Sequence, residues 1–301
     1  MLALKNVLVV LDPDQEEQPA LEKVLALAKL EDFNITLLSC EYTQYLVEGY
    51  YFDAIELPKL REELLAERRA ILEKQAATLR DKGLNVNVRA VWGHPAYEAV
   101  VKEAYDINAD LVIAHVRQHS AISRLLLTHN DWQLVRCCPM PLLLVKETAW
   151  QAAPVFLAAV DPKHARHKPS GLDHRILEIA EDLQKLTGGN AWAVHSFPQL
   201  SIPQDVLEKE QQDHQAAFDT LMADFSIDKS QQIFSDEAPE YAISEAQKKT
   251  GADVVVMGAV SRSLLADVFI GNTTEKVLDF LECDVLVVKP ADFESPVTRS
   301  S

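Results

Sequence analysis

The sequence predicts an α/β protein built from two copies of one domain, and three observations carry that prediction. The first is a series of short, unbroken apolar runs, such as VVVM at 254–257 and VLVV at 285–288, separated by stretches of helical spacing. Strands that read this way are buried on both faces, as in parallel sheets covered by crossover helices. The second is an internal match: residues 109–146 lie against 252–289 without a gap, at a constant offset of 143, pairing Ala109-Asp110 with Ala252-Asp253 and Val145-Lys146 with Val288-Lys289. The third is size, since 301 residues with 48% hydrophobic content suffice for two cores.

Taken in order, the run at 7–11 is a first strand closed by Asp12-Pro13, and Leu21, Val24, Leu25 and Ala28 mark one face of the helix that follows. A second strand is expected at 35–39, a helix at 60–79, and an alternating strand at 86–91. Pro95 suits the first turn of the next helix, and strands at 111–114 and 142–145 flank another helix. The pattern then restarts. A strand at 155–160 ends in Asp161-Pro162, followed by a helix at 176–186, a strand at 191–194, a helix within 204–225, a weak strand near Gln232 and a helix after Pro239. Pro239-Glu240-Tyr241 answers Pro95-Ala96-Tyr97. The expected domains are 1–148 and 152–290, with 291–301 a mobile tail.

Composition excludes several classes. The net charge of -17, split as -6 before and -11 after Trp150, leaves no basic surface for nucleic acid. No apolar segment approaches the roughly 20 residues that cross a bilayer, and the N-terminus lacks a charged leader, so a cytoplasmic protein without membrane contact is expected. Cys40, Cys137, Cys138 and Cys283 show no CxxC spacing and read as reduced thiols.

The stretch at 252–289 reads as strand, glycine-bearing loop, helix, strand, which puts the loop at the carboxyl end of a strand, where open α/β sheets bind ligands. Gly258 leaves room for a phosphate chain to approach backbone amides. Asn272 with Glu275 three residues on has the form of a helix cap, which frees the N–H groups of Thr273 and Thr274 for an anion.

On these residues, together with the repeat, the chain resembles the universal stress family in tandem form over nearly its whole length. The resemblance implies, twice, a flavodoxin-like or Rossmann-like domain of the adenine nucleotide alpha hydrolase-like kind, with a five-stranded parallel sheet in the order 3-2-1-4-5. ATP-binding members carry Gly, two residues, Gly, nine residues, Gly, then Ser or Thr. Gly258, Ser261, Gly271 and Asn272 stand at those positions, so Ser261 replaces a glycine and Asn272 a hydroxyl residue. The resemblance places Asp161 at the adenine end, and Arg262 is a supporting charge. What it implies is a stress-response sensor or adaptor that binds ATP or another adenine nucleotide in its second half. It also implies that the two halves form an internal pseudo-dimer and that whole chains pair as a homodimer.

In the first half the four positions hold His115, Gln118, Thr128 and His129, so each glycine has gained a side chain while Asp12 remains. His115 and Gln118 then plug a degenerate site, and Thr128 caps a helix with Asp131. A metal reading of His115, His119 and His129 is disfavoured, because the repeat sets the first two in a loop and fixes no acidic or thiol ligand nearby. Tyr42, Tyr45, Tyr50, Tyr51 and Phe52 pack over this cleft, line it for an apolar or lipid-like ligand, or meet another subunit. No GxxxxGK[ST], GxSxG or HExxH motif is present, so catalysis beyond slow ATP hydrolysis is not expected. The alternative to nucleotide binding is an interaction scaffold with both clefts degenerate.

Overall fold

The computed structural model describes residues 4–15, 17–29, 32–43, 56–116, 128–163, 171–199, 201–259, 276–278 and 281–299. In the first half β1 (Asn6–Val10), α1 (Pro19–Leu27), β2 (Asn34–Glu41), α2 (Glu56–Arg80), β3 (Asn85–Trp92), α3 (Ala96–Asp106), β4 (Leu111–His115), α4 (His129–Cys137) and β5 (Leu142–Val145) follow one another. The second half runs β6 (Val155–Val160), α5 (Leu172–Thr187), β7 (Asn190–Ser196), α6 (Gln204–Met222), β8 (Gln232–Ser235), α7 (Pro239–Thr250), β9 (Val254–Gly258) and β10 (Asp284–Val288). The chain is helical again at 276–278, before β10.

The strands form one ten-stranded sheet in the order β3-β2-β1-β4-β5-β10-β9-β6-β7-β8. Each half keeps the expected 3-2-1-4-5 order with parallel pairing. The expectation of two separate sheets is corrected by the seam, where β5 and β10 pair antiparallel in the register Leu142↔Val287, Leu143↔Leu286 and Leu144↔Val285.

The alternation of side chains along each strand builds two cores, one on each face. Val7, Val9, Ile113 and Val145 of the first half, with Phe156, Ala158, Val254 and Leu286 of the second, share a core with α1, α2, α5 and α6. Leu8, Val112, Leu144, Leu157, Val255 and Val287 face the other way, toward α3, α4 and α7. Both cores run through the seam, which explains why the strands read as unbroken apolar runs. Equivalent aspartates tie the inner strands at their starts. Asp110 Oδ2 accepts the N–H groups of Lys5 at 2.8 Å and Asn6 at 2.9 Å. Asp253 accepts those of Gln151 at 3.0 Å and Val155 at 2.8 Å.

Two further features concern the seam. Asp284 is almost fully buried; its carboxylate accepts from Lys146 N–H at 2.8 Å and Trp150 Nε1–H at 2.7 Å, with Lys23 Nζ 3.6 Å away. Residues 291–299 lie against the first half. Ser295 Oγ donates to Cys137 O at 2.6 Å, Val297 is buried beside Cys137 and Cys138, and the Arg299 guanidinium lies 5.0 Å from the Tyr105 ring. All four cysteines are free, and burial raises the pKa of each thiol. Among the described residues no helix is long and apolar enough to cross a membrane.

Candidate functional site

In the second half, β6 lies between β7 and β9, so the strand order reverses there. The crevice at such a switch point is where the carboxyl ends of an open α/β sheet receive ligands. The register that sets Ala159 against Met257 brings Val160 level with Gly258, so that Asp161 follows at the same edge. Asp161 N–H donates to Asp173 Oδ1 at 3.0 Å, which ties the strand end to the first turn of α5.

The space left open by Gly258 has a protein occupant. A Cβ at this position would come within 2.7 Å of Leu172 Cδ2 and 3.3 Å of Leu172 Cγ, so the glycine lets α5 approach β9 closely. The next residue is held on both sides: Ala259 N–H donates to Val288 O at 3.1 Å, and Ala259 O accepts from Lys289 Nζ at 2.8 Å. Lys289 also lies 4.7 Å from the Phe293 ring, and its burial lowers its pKa to about 8. Of the residues expected to hold a nucleotide, Ser261, Arg262, Gly271, Asn272, Thr273 and Thr274 lie outside the described residues. Beyond the loop, Lys276 pairs with Glu240 of α7 at 2.8 Å, while Val277 and Leu278 are buried.

Sequence reasoning missed a buried histidine pair beneath this edge. His195 Nδ1 lies 3.1 Å from Val160 O, and His195 Nε2 lies 2.9 Å from His214 Nδ1. Because a carbonyl only accepts, Nδ1 of His195 carries a proton and donates to Val160 O; with both rings neutral, His214 Nδ1–H then donates to His195 Nε2. The pair thus fixes the residue that precedes Asp161, and the Phe197 ring packs at a tilt against His214 with ring centroids 4.5 Å apart. Two signals were available: His195 shares the strand parity of Ala191 and Ala193, and His214 stands one turn before Phe218 on α6.

The first half fills the corresponding edge with side chains. His115 ends β4, and its Nδ1 lies 3.1 Å from Gln15 Oε1. Gln15 Nε2 in turn donates to Asp12 Oδ2 at 3.3 Å, while Asp12 Oδ1 accepts from Asp14 N–H at 3.0 Å. The structure therefore joins His115 to Gln15 and Asp12; Gln118, the expected partner in the plug, lies outside the described residues. Arg68 reaches Asp14 at 2.6 and 3.0 Å and Glu41 at 3.3 Å, closing the rim. Thr128 and Asp131 form the expected reciprocal cap of α4.

Tyr42 packs at a tilt against His94 with centroids 4.1 Å apart, and Arg61 lies 5.0 Å from the Trp92 ring. Tyr45, Tyr50, Tyr51, Phe52 and His119 lie outside the described residues. Among the described residues no group of His, Cys, Asp and Glu is arranged to hold a metal ion.

The sheet order, the switch-point crevice and the doubled domain agree with a family assignment. The model of the universal stress protein family matches residues 3–146 and again 157–289, and the chain belongs to that family in tandem form. Its relatives define the subgroup. The chain is 29% identical to universal stress protein E of Salmonella typhi, over 99% of this chain and 98% of that one. It is 28% identical to universal stress protein E of Escherichia coli K12 over the same shares. Among solved structures, a functionally unknown protein from Pseudomonas aeruginosa PAO1 superposes with a TM-score of 0.79 at 27% identity, covering 97% of this chain and 94% of that one. A universal stress protein from Archaeoglobus fulgidus superposes with a TM-score of 0.65 at 18% identity and supports the fold alone.

Proposed function

We propose that this chain is a stress-response sensor or adaptor that binds ATP or a related adenine nucleotide in its second half. The observation that carries this reading is that β6 and β9 end together at the switch point, with Val160 level with Gly258 and Asp161 next along the chain, and that the glycine-bearing stretch 260–275 connects that edge to the helical turn at 276–278. In this reading Asp161 meets the base end of the nucleotide. The phosphates meet the backbone N–H groups of Gly271, Asn272, Thr273 and Thr274 at a helix start, supported by Ser261 and Arg262. Ligand bound along the 258–274 stretch changes the surface that a partner reads, and the output is binding rather than turnover.

Titration calorimetry with ATP, ADP and AMP tests it. Binding is expected in the wild type, and Gly271→Trp should abolish it while leaving the unfolding midpoint within a few degrees, because a large side chain blocks the backbone cradle. Absence of heat at millimolar nucleotide removes the reading. A second reading, a scaffold without nucleotide, is favoured by the same glycine: Leu172 fills the space at Gly258, and side chains fill the first half's edge. Retention of partner binding together with silence toward all three nucleotides would select it.

A further inference from the structure

The two sides of the seam differ in where a carboxylate stands. At the offset of 143 that relates the halves, Thr148 corresponds to Ala291 and Asp284 to Pro141. On one side Lys23 of α1, buried, donates to Thr148 O and faces the Asp284 carboxylate at 3.6 Å. The Trp150 ring lies 5.3 Å from its Nζ. This space is closed. On the other side Ala291 and Pro141 line a cavity of about 800 Å³, and α5, the counterpart of α1, supplies Arg175 to its wall. Volumes of this order accommodate small-molecule ligands.

The cation on this second side has proline, not a carboxylate, at the position equivalent to Asp284, and the nearest acidic side chain in the wall is Glu178 of its own helix. Among the described residues the Arg175 guanidinium makes no hydrogen bond and no ion pair. Its pKa is lowered by burial, an effect that Glu178 one turn along α5 opposes only in part. Leaving a half-buried guanidinium without an acceptor costs free energy that an anion would return. Lys5 of the first half adds a second cation to the wall, and the Asp110 oxygen nearby is engaged by two backbone N–H groups. The remaining wall combines Tyr105, Met140 and Ile179 with the polar side chains of His174 and Glu178.

We propose that this cavity binds a small carboxylate-bearing molecule. Its carboxylate takes beside Arg175 the place that Asp284 takes beside Lys23, and its apolar body lies along Tyr105, Met140 and Ile179. Both halves contribute to the site, so such a ligand holds the seam together, and the proposal does not depend on the nucleotide reading.

Thermal unfolding of the full chain, with benzoate, butyrate, inorganic phosphate or sodium chloride at matched ionic strength, provides the test. In roughly tenfold excess over its Kd, benzoate or butyrate should raise the midpoint by about 2–4 °C, while chloride should not. Arg175→Gln should lose the shift, and Gly271→Trp should keep it, which separates this site from the nucleotide site. Pro141→Asp writes the missing carboxylate into the chain; it should raise the midpoint without ligand and remove the response to benzoate. If Pro141→Asp does not fold, the comparison with Arg175→Gln decides alone. No shift with either carboxylate, an equal shift in Arg175→Gln, or a response to phosphate alone overturns the proposal.

Discussion

A single missing Cβ at Gly258 sets how closely α5 approaches β9, and two demands meet at that residue. A ligand loop needs room there, and so does Leu172, whose Cδ2 would stand 2.7 Å from an added Cβ. Gly258→Ala should therefore cost about 1–3 kcal/mol by overpacking. Leu172→Ala in the same chain should return part of that loss, giving a coupling of at least about 0.5 kcal/mol in a double-mutant cycle from urea unfolding. Strict additivity would show that the glycine is not there for the leucine. The spacing of Gly258 and Gly271 was legible because glycine is rare in this chain; the occupant of the space was not, since Leu172 lies 86 residues earlier and carries no signal beyond a helical apolar face.

At the level of elements, the strands and their repeat were legible because burial on both faces forces unbroken apolar runs. The direction of the β5–β10 pairing was not legible, since a strand buried on both faces has the same composition beside a parallel or an antiparallel neighbour. Polar buried pairs are harder still: His195 and His214 come from a strand and the helix after it, and neither residue type marks a core position. The cap of α4 was readable from Thr128 and Asp131 alone, because its partners are three residues apart. Thr128 Oγ1 accepts from Asp131 N–H at 3.3 Å, and Asp131 Oδ2 accepts from Thr128 N–H at 2.8 Å. Thr128→Ala should lower the unfolding free energy by about 0.5–2 kcal/mol, read from the shift of the urea midpoint at constant slope. An unchanged midpoint would mean that the edge residues of the first half, not the cap, hold this helix.

For the whole molecule, the seam sets both stability and association. Burial pushes the Asp284 carboxyl up to about 6, with Lys23 opposing, against an unfolded value of about 3.9. Between those two values the folded chain holds more protons than the unfolded one, so the contribution of Asp284 falls as pH rises from about 4 to about 6 and is level above that. Asp284→Asn lacks this titration. The difference in unfolding free energy, variant minus wild type, should thus grow more positive by about 2–3 kcal/mol across that window. A flat difference would mean that Asp284 stays ionised throughout. The same seam limits how chains can combine. A half that ended at β5 would present an unpaired inner edge to any copy of itself, but here β10 saturates that edge from within the same chain. Among the described residues the valence left to the sheet is therefore two, at β3 and β8, which lie at opposite ends of the ten-stranded order and belong to different halves. A second copy that paired β3 with β3 or β8 with β8 antiparallel would close about a two-fold axis, as β5 and β10 do within the chain, whereas head-to-tail addition of β3 to β8 would generate an open array.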